Sequence, residues 1–405
     1  MGVPGFFLWL WKKYRKSNFV FSKGKINDTE LQDKVNSIDY LLIDANCLIH
    51  PTCFKVLAEN PDFTNQASLE NKMMNAALEY IDKIINYANP KEGVYLAIDG
   101  VAPVAKIKQQ RYRRFKSVHD RELFDNIKRK HNKPVTKFWN NSAITPGTEF
   151  MEKLHFKILA WAQEKKIKVI YSSCKTPSEG EHKLLQFIRD NLKEKKEYSY
   201  VMYGLDADLI FLCLSTNSPN LFLLREAKEF DNKSSSEELN YVSIDIMRTL
   251  IKDTMELIIS DGDKDETSIK IDDKYSDNLI NDFIFICYLL GNDFLPHLPA
   301  LDIYTRGLDT LLDKYIEVLS NHNFSKFIID RKSKNVKINN KLFIEFISYL
   351  ASEESEVLKN EYASSRKHHK CNSTDPYDIE MHRIDNVYFK VNDKIKLGSD
   401  ESEFW

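Results

Sequence analysis

Disulfide and zinc chemistry have little to work with in this chain. Its 405 residues hold six cysteines, Cys47, Cys53, Cys174, Cys213, Cys287 and Cys371. No two are spaced as CxxC and most stand among apolar residues, which points to a reducing compartment without a disulfide framework. His50 with Cys53, and His368 with Cys371, have the spacing of half a zinc site, but neither has a second half. Membrane-length apolar runs are missing too. The longest, "FIFICYLLG" from Phe283, is about half of the roughly 20 residues a spanning helix needs. The apolar start "MGVPGFFLWLWKKY" lacks the basic start and small-residue cleavage site of a signal peptide. Gly2 has Phe6 where a myristoylation signal wants Ser or Thr. An intracellular protein, cytoplasmic or nuclear and not secreted, is expected. Net charge is scarce as well, at −2. That balance hides two blocks: twelve Lys or Arg against three Asp or Glu from Lys106 to Lys137, and an acidic excess from Asp253 to Asp282. Such blocks say more about partners than the total does.

What is present is an alternation. "YLLID" ends at Asp44, "VYLAID" ends at Asp99, "IKVIYSS" leads to "TPSEGEHK", and "YSYVMYG" leads to Asp206. Helical periodicity follows, as in "AALEYIDKIINYA" and "HKLLQFIRDNL". Strands alternating with helices predict an α/β fold, a central, mostly parallel, twisted sheet flanked by helices. Sites in such folds form beyond the carboxyl ends of the strands. The last third reads as mainly helical, and no segment repeats. "DNKSSSEEL" (Asp231–Leu239) and "SDGDKDETSIKIDDKYSD" (Ser260–Asp277) read as solvated surface insertions. The second has Glu266 where a calcium loop requires glycine.

Acids stand where the strands end. In "YGLDADLIFLCL" an apolar run carries Asp206 and Asp208, which share one face if the segment is extended. Ionised carboxylates are costly to take from water, so either the pair sits at a wet strand end or a cation lies between them. "SEGEHK" adds Glu179 and Glu181, and "GNDFLPHLP" adds Asp293. Each acid has an ordinary reading; Thr176-Pro177-Ser178-Glu179, for example, fits a capping box with proline at the first helical position. Together with Asp44 and Asp99 they make seven. Meeting in one crevice, they would repel by roughly 4 kcal/mol per close pair at an effective dielectric near 20. Mg²⁺ or Mn²⁺, two ions in all, would resolve the conflict. Paired ions held by acids serve phosphodiester hydrolysis.

Lys106, Gln110, Arg113 and Arg114 follow Asp99 at i, i+4, i+7 and i+8, within roughly a 100° arc of a helix. The arc is either a solvated basic face or a grip for a terminal phosphate.

At these residues the chain resembles the 5′→3′ exoribonucleases of the Xrn type, which are related more distantly to PIN-like flap endonucleases. The blocks are "MGVPGFF", "LLIDANCLIH", "AIDGVAPVAKIKQQRYRRF", "ITPGTEFM", "SEGEHK", "YGLDADLI", "LLREA" and "GNDFLPHLP". They run in family order to about residue 300, with helical similarity to about 360. The resemblance implies that Asp44, Asp99, Glu179, Glu181, Asp206, Asp208 and Asp293 form a catalytic metal site. It implies that Lys106, Gln110, Arg113 and Arg114 hold a 5′ monophosphate and that His50 stacks on the first base. Asn46 lies in the same motif without an assigned role. The family's second conserved segment, with its base-sandwiching aromatic, has no counterpart here; "NVYFKVNDKIKL" and Trp405 are the nearest candidates.

The resulting expectation is a divalent-metal-dependent 5′→3′ exoribonuclease that degrades single-stranded, 5′-monophosphorylated RNA to mononucleotides, as in mRNA decay. It is expected to be a monomer without membrane attachment. A flap-type DNA nuclease and a non-catalytic RNA-binding scaffold of the same fold are the alternatives. The expected divisions are a PIN-like core over 1–310, a helical extension over 311–365 and a polar tail over 366–405.

Overall fold

The computed structural model describes residues 3, 5–25, 28–135, 137–216, 218–226, 238–262, 275–292, 294–301, 303, 306–324, 326–332, 335–365, 371 and 373–384. Most of both expected insertions, 231–237 and 263–274, lies outside them, as do Asp293, all of "NVYFKVNDKIKL" and Trp405. Ser260–Gly262 belong to a helix end and Ser276–Asp277 to a helix start, so the second insertion is shorter than the sequence suggests.

The chain opens with α1 (Phe6–Lys13), β1 (Val20–Phe21) and α2 (Thr29–Asn36). Next come β2 (Tyr40–Asp44), α3 (Asn46–Glu59), α4 (Gln66–Ala88), β3 (Gly93–Ala97) and α5 (Val104–Lys130). Then follow α6 (Glu149–Gln163), β4 (Val169–Ser172), α7 (Gly180–Lys193), β5 (Tyr200–Tyr203) and α8 (Ala207–Leu214). β6 (Leu221–Glu226), β7 (Leu239–Ser243), α9 (Ile244–Gly262), α10 (Ser276–Cys287) and α11 (Gly307–Asn321) lead to β8 (Ile329–Lys332) and β9 (Asn335–Ile338). α12 (Asn340–Ser365) and α13 (Pro376–Arg383) close the described chain.

Seven strands form one mixed sheet, ordered β1-β7-β6-β5-β2-β3-β4. From β6 to β4 every neighbouring pair is parallel, while β7 and β1 add antiparallel. The expected mostly parallel sheet with flanking helices is therefore present, with an antiparallel edge. All five residues of β2 are buried, as a strand covered on both faces requires. From β2 the chain builds β3 and β4 on one side, then crosses to β5 and β6 on the other. Order reverses at β2 and β5, so the crevice opens at their carboxyl ends.

Local signals set the flanking helices. Asn65 caps α4, its side chain accepting from Ser68 N at 3.0 Å, and Asn89 ends it in the left-handed region (φ 50°). Between the caps, Leu69, Met73, Ala77, Ile81, Ile84 and Ala88 form the stripe that enters the core. α1 is buried through Phe6, Phe7 and Leu10; the Phe6 ring lies 4.3 Å from Phe211 on α8 and 6.1 Å from Phe283 on α10. "LIFLCL" is thus a buried helix and not a strand. An apolar run that short has no period to distinguish the two.

Two compact units can be separated: Met1–Lys106 with Trp139–Ile347, and Ile107–Phe138 with Ser348–Trp405. The first contains both sheets. A buried carboxylate ties its helical part together: Asp282, 0% exposed, accepts from Tyr315 Oη at 2.7 Å, Ile328 N at 2.7 Å and Ile329 N at 2.6 Å. Asp282→Ala would strand three buried donors, and a loss of about 3–5 kcal/mol is expected in urea unfolding, against about 1 kcal/mol for Tyr315→Phe. In the second unit, Asp375 caps α13 through Tyr377 N at 2.9 Å with Pro376 at its start. Lys130 and His131 reach Glu380 at 2.9 and 2.6 Å. Part of the expected polar tail is therefore an ordered helix. Among the described residues no helix is long and apolar enough to cross a membrane.

Candidate active site

Four strand ends supply the acids. Asp44 is the last residue of β2. Asp99 lies two residues past β3, which ends at Ala97 and not, as the sequence suggests, at the acid itself. Beyond the sheet, the loops after β3 and β4 pair with each other: Gly100 N donates to Ser178 O at 2.9 Å and Ser178 N donates to Val101 O at 3.1 Å. A Cβ on Gly100 would fall 1.8 Å from Thr176 O, so only glycine lets the loops meet. Ser178 takes a left-handed φ of 97°, and helix α7 begins at Gly180 with Glu179 at its N-cap. The ordinary reading of Glu179 as part of a capping box from Thr176 does not apply, because α7 starts only at Gly180 and the turn sets Glu179 near Asp99.

Gly180 is the hub of the acids. Its N–H donates to Asp99 Oδ1 at 2.6 Å. A Cβ there would lie 2.6 Å from Asp44 Oδ1 and 3.4 Å from Asp99 Oδ1. Asp206 occupies the N-cap position of α8 without a side-chain capping bond and is exposed, while Asp208 stands half-buried in its first turn. The two are thus not side by side along a strand. Six of the seven expected acids are gathered here; Asp293 lies outside the described residues.

Electrostatics show how closely they press. Burial, then Asp99 and Asp206, pushes Asp44 up to about 8. Burial, then Asp44, Asp206, Asp208 and Glu179, pushes Glu181 up to about 9. Burial also raises Asp99, opposed by the Gly180 N–H and by Lys183 and Lys106. Tyr288 rises to about 12 through burial and the Asp208 and Glu181 charges. Glu179 is 7% exposed, and its Oε2 is buried without a hydrogen-bond partner. Donor atoms of Glu179, Glu181 and His182 all lie within 4.8 Å of one another. An orphaned carboxylate oxygen among raised carboxylates is a donor set that suits a hard divalent cation.

Several supporting contacts could not be read from the sequence. Lys106 is buried with its ammonium 3.0 Å from Glu179 Oε1 and over the Phe294 ring at 5.4 Å, so it serves the acids directly. Lys183 donates to Ile98 O at 2.6 Å and Ser173 O at 3.0 Å. Asn46 Oδ1 accepts from Asp99 N at 3.1 Å, and Asn46 N donates to Asp44 Oδ1 at 3.3 Å, joining two strand ends. The Cys47 thiol reaches Asp44 Oδ2 at 3.3 Å. Arg225, stacked on Phe7 at 4.4 Å, donates to Leu205 O and so fixes the turn before Asp206. Asn46, Phe7 and Arg225 all fall within quoted sequence blocks, which was their only signal. Gln110, Arg113 and Arg114 lie on α5 in the second unit, the first two half-buried and Arg114 exposed. His50 is half-buried on α3, and burial lowers its pKa, favouring a neutral ring.

Residues 1–227, more than half of the chain, match the family described as the XRN 5'-3' exonuclease N-terminus. The chain belongs to the XRN 5'-3' exonuclease family. A second match, to the Xrn1 helical domain, covers residues 273–397 of this XRN chain, well past residue 360 where the sequence resemblance fades. Curated relatives include a 5'-3' exoribonuclease 2 of Eremothecium gossypii, 31% identical over 412 residues, covering 89% of this chain and 42% of that one. Another, of Candida albicans, is 31% identical over 425 residues, covering 91% and 41%. The XRN chain therefore spans about two fifths of the length of these relatives. Among solved structures, the catalytic core of Rad2 in complex with a DNA substrate aligns over 99% of this chain and 83% of that one, at 12% identity and a TM-score of 0.41.

Proposed function

We propose that this chain is a divalent-metal-dependent 5′→3′ exoribonuclease that shortens single-stranded RNA bearing a 5′ monophosphate, releasing mononucleotides. Chief support comes from the carboxylates packed around Gly180, with Glu179 Oε2 buried and unbonded among them. Asp44, Asp99, Glu179, Glu181, Asp206 and Asp208, with Asp293 from the sequence, would hold Mg²⁺ or Mn²⁺. Bound there, divalent ions supply an acidified water and stabilisation of the leaving oxygen. The chain's own groups do the positioning. Gly180 leaves room between Asp44 and Asp99, Lys106 balances Glu179, and Arg225 holds the Leu205 turn. Gln110, Arg113 and Arg114, with Lys106, would bind the 5′ phosphate, and the neutral ring of His50 would stack on the first base. Residues 1–310 would carry the chemistry, with 311–365 as a helical extension and 366–405 as a tail.

The test compares 5′-phosphate, 5′-hydroxyl and capped RNA, and flapped DNA, with Mg²⁺ present. Decay confined to the first is expected. Equal decay of all RNAs removes the end-recognition claim, and preference for flapped DNA replaces the reading. A local check is Gly180→Ala. Its Cβ would displace Asp44, so the Mn²⁺ concentration needed for half-maximal cleavage should rise at least about tenfold, with unchanged far-ultraviolet circular dichroism.

A further inference from the structure

Helix α5 carries six Lys or Arg between Val104 and His119 and no acid. They do not all face one way. Lys106, Gln110, Arg113 and Arg114 fall in one arc; Lys108, Arg111, Tyr112, Phe115 and His119 fall in another, about 160° away at 100° per residue. The second arc is exposed throughout, with Tyr112 at 67% and Phe115 at 78%. Neither ring has an aromatic or cationic contact among the described residues. By contrast, Phe138 in the same unit already carries the Arg121 guanidinium at 3.3 Å. His119 has only a 3.8 Å approach to Asp120.

Two bare aromatic rings one helical turn apart, flanked by Lys108 and Arg111, form a surface of defined chemistry. Rings offer π-faces to successive bases, and the cations match a phosphate backbone. An apolar protein partner would not need the cations, and an acidic one would not need flat rings. We infer that this face of α5 is a docking strip for single-stranded RNA, separate from the residues assigned to the 5′ phosphate. The inference rests on the RNA-degrading reading above and adds a second contact for the same substrate.

The experiment uses the full chain and a fluorescent 5′-hydroxyl oligouridylate in EDTA, read by anisotropy. The Tyr112→Ala/Phe115→Ala variant is expected to bind on the order of thirtyfold more weakly. Tyr112→Phe/Phe115→Trp, which keeps the rings, should bind as the wild type does. Lys108→Ala/Arg111→Ala should lower the salt slope of binding by about 1.4. RNA containing 4-thiouridine should photocrosslink to the strip. Unchanged affinity in the ring-deleted variant, with wild type still binding and cutting, overturns the strip and leaves the nuclease reading intact. Wild type that neither binds nor cuts RNA overturns both. Ring deletion that changes sedimentation but not RNA affinity makes the face a protein contact and overturns the inference as well.

Discussion

Replacing Asp208 by alanine should slow cleavage of 5′-phosphorylated RNA by about a thousandfold and leave the chain folded. The loss corresponds to several kcal/mol of transition-state stabilisation from a bound ion. Asp208 is the informative choice because of where it stands. Asp44 and Asp99 accept hydrogen bonds from Asn46, Cys47 and Gly180, so their removal would disturb the loops as well as the charge. Asp208 sits half-buried in the first turn of α8, where its charge helps raise Glu181 and Tyr288. Alanine suits the helix and relieves that repulsion. Melting without divalent ions should therefore occur at an equal or higher temperature than in wild type. A variant that cuts normally would sink the metal-centre reading. One that cannot fold would make Asp208 structural.

Metal-free protein should lose stability as pH rises from about 4 to about 9. Asp44 and Glu181 have ordinary values of 3.8 and 4.5 and are raised to about 8 and about 9. Below pH 4 both groups are neutral whether the chain is folded or not. Between the ordinary and raised values the unfolded chain releases protons that the folded chain keeps, so stability falls with pH, by at most about 1.4 kcal/mol per unit for each group. Above about 9 the loss is complete. Asp282, raised to about 6 by burial, adds a loss of the same sign that ends near pH 6. The two sources separate on adding Mn²⁺ at pH 8: ions should restore the share owed to the acid centre and leave the share owed to Asp282. Asp44→Asn should flatten the upper part of the curve. Thermal melts from pH 5 to 9, with EDTA or Mn²⁺, provide the measurement; a flat metal-free curve above pH 6 would contradict it.

How much of this was legible depended on distance along the chain. "YLLID" and "YSYVMYG" each hold a strand because apolar residues stop at a polar signal, and β2 and β5 follow them. "LIFLCL" misled because six apolar residues look alike as strand or helix; Asp206 placed before an alanine was the cap signal that should have decided it. Likewise, Asp375 before Pro376 marks the start of α13 inside a stretch whose polarity suggested a tail. The acids could be nominated since they stand at or beyond the ends of apolar runs, Asp44 closing β2 and the other described acids following β3, β4 and β5. Their partners could not. Lys106 is 73 positions before Glu179, and Asn46 meets the Asp99 backbone across 53. Only the sheet order, which reverses between β2 and β5, brings such residues together.

The two buried lysines carry a consequence for substrate capture. Lys106 and Lys183 stand among six described carboxylates, so the fully ionised centre carries a formal charge of −4, the charge that a pair of divalent ions cancels. Were the proposed pair of ions bound, the crevice would be close to neutral and would draw in a polyanion only weakly from a distance. The ionic-strength dependence of KM then reports cations outside the centre, and kcat should stay nearly level as salt rises.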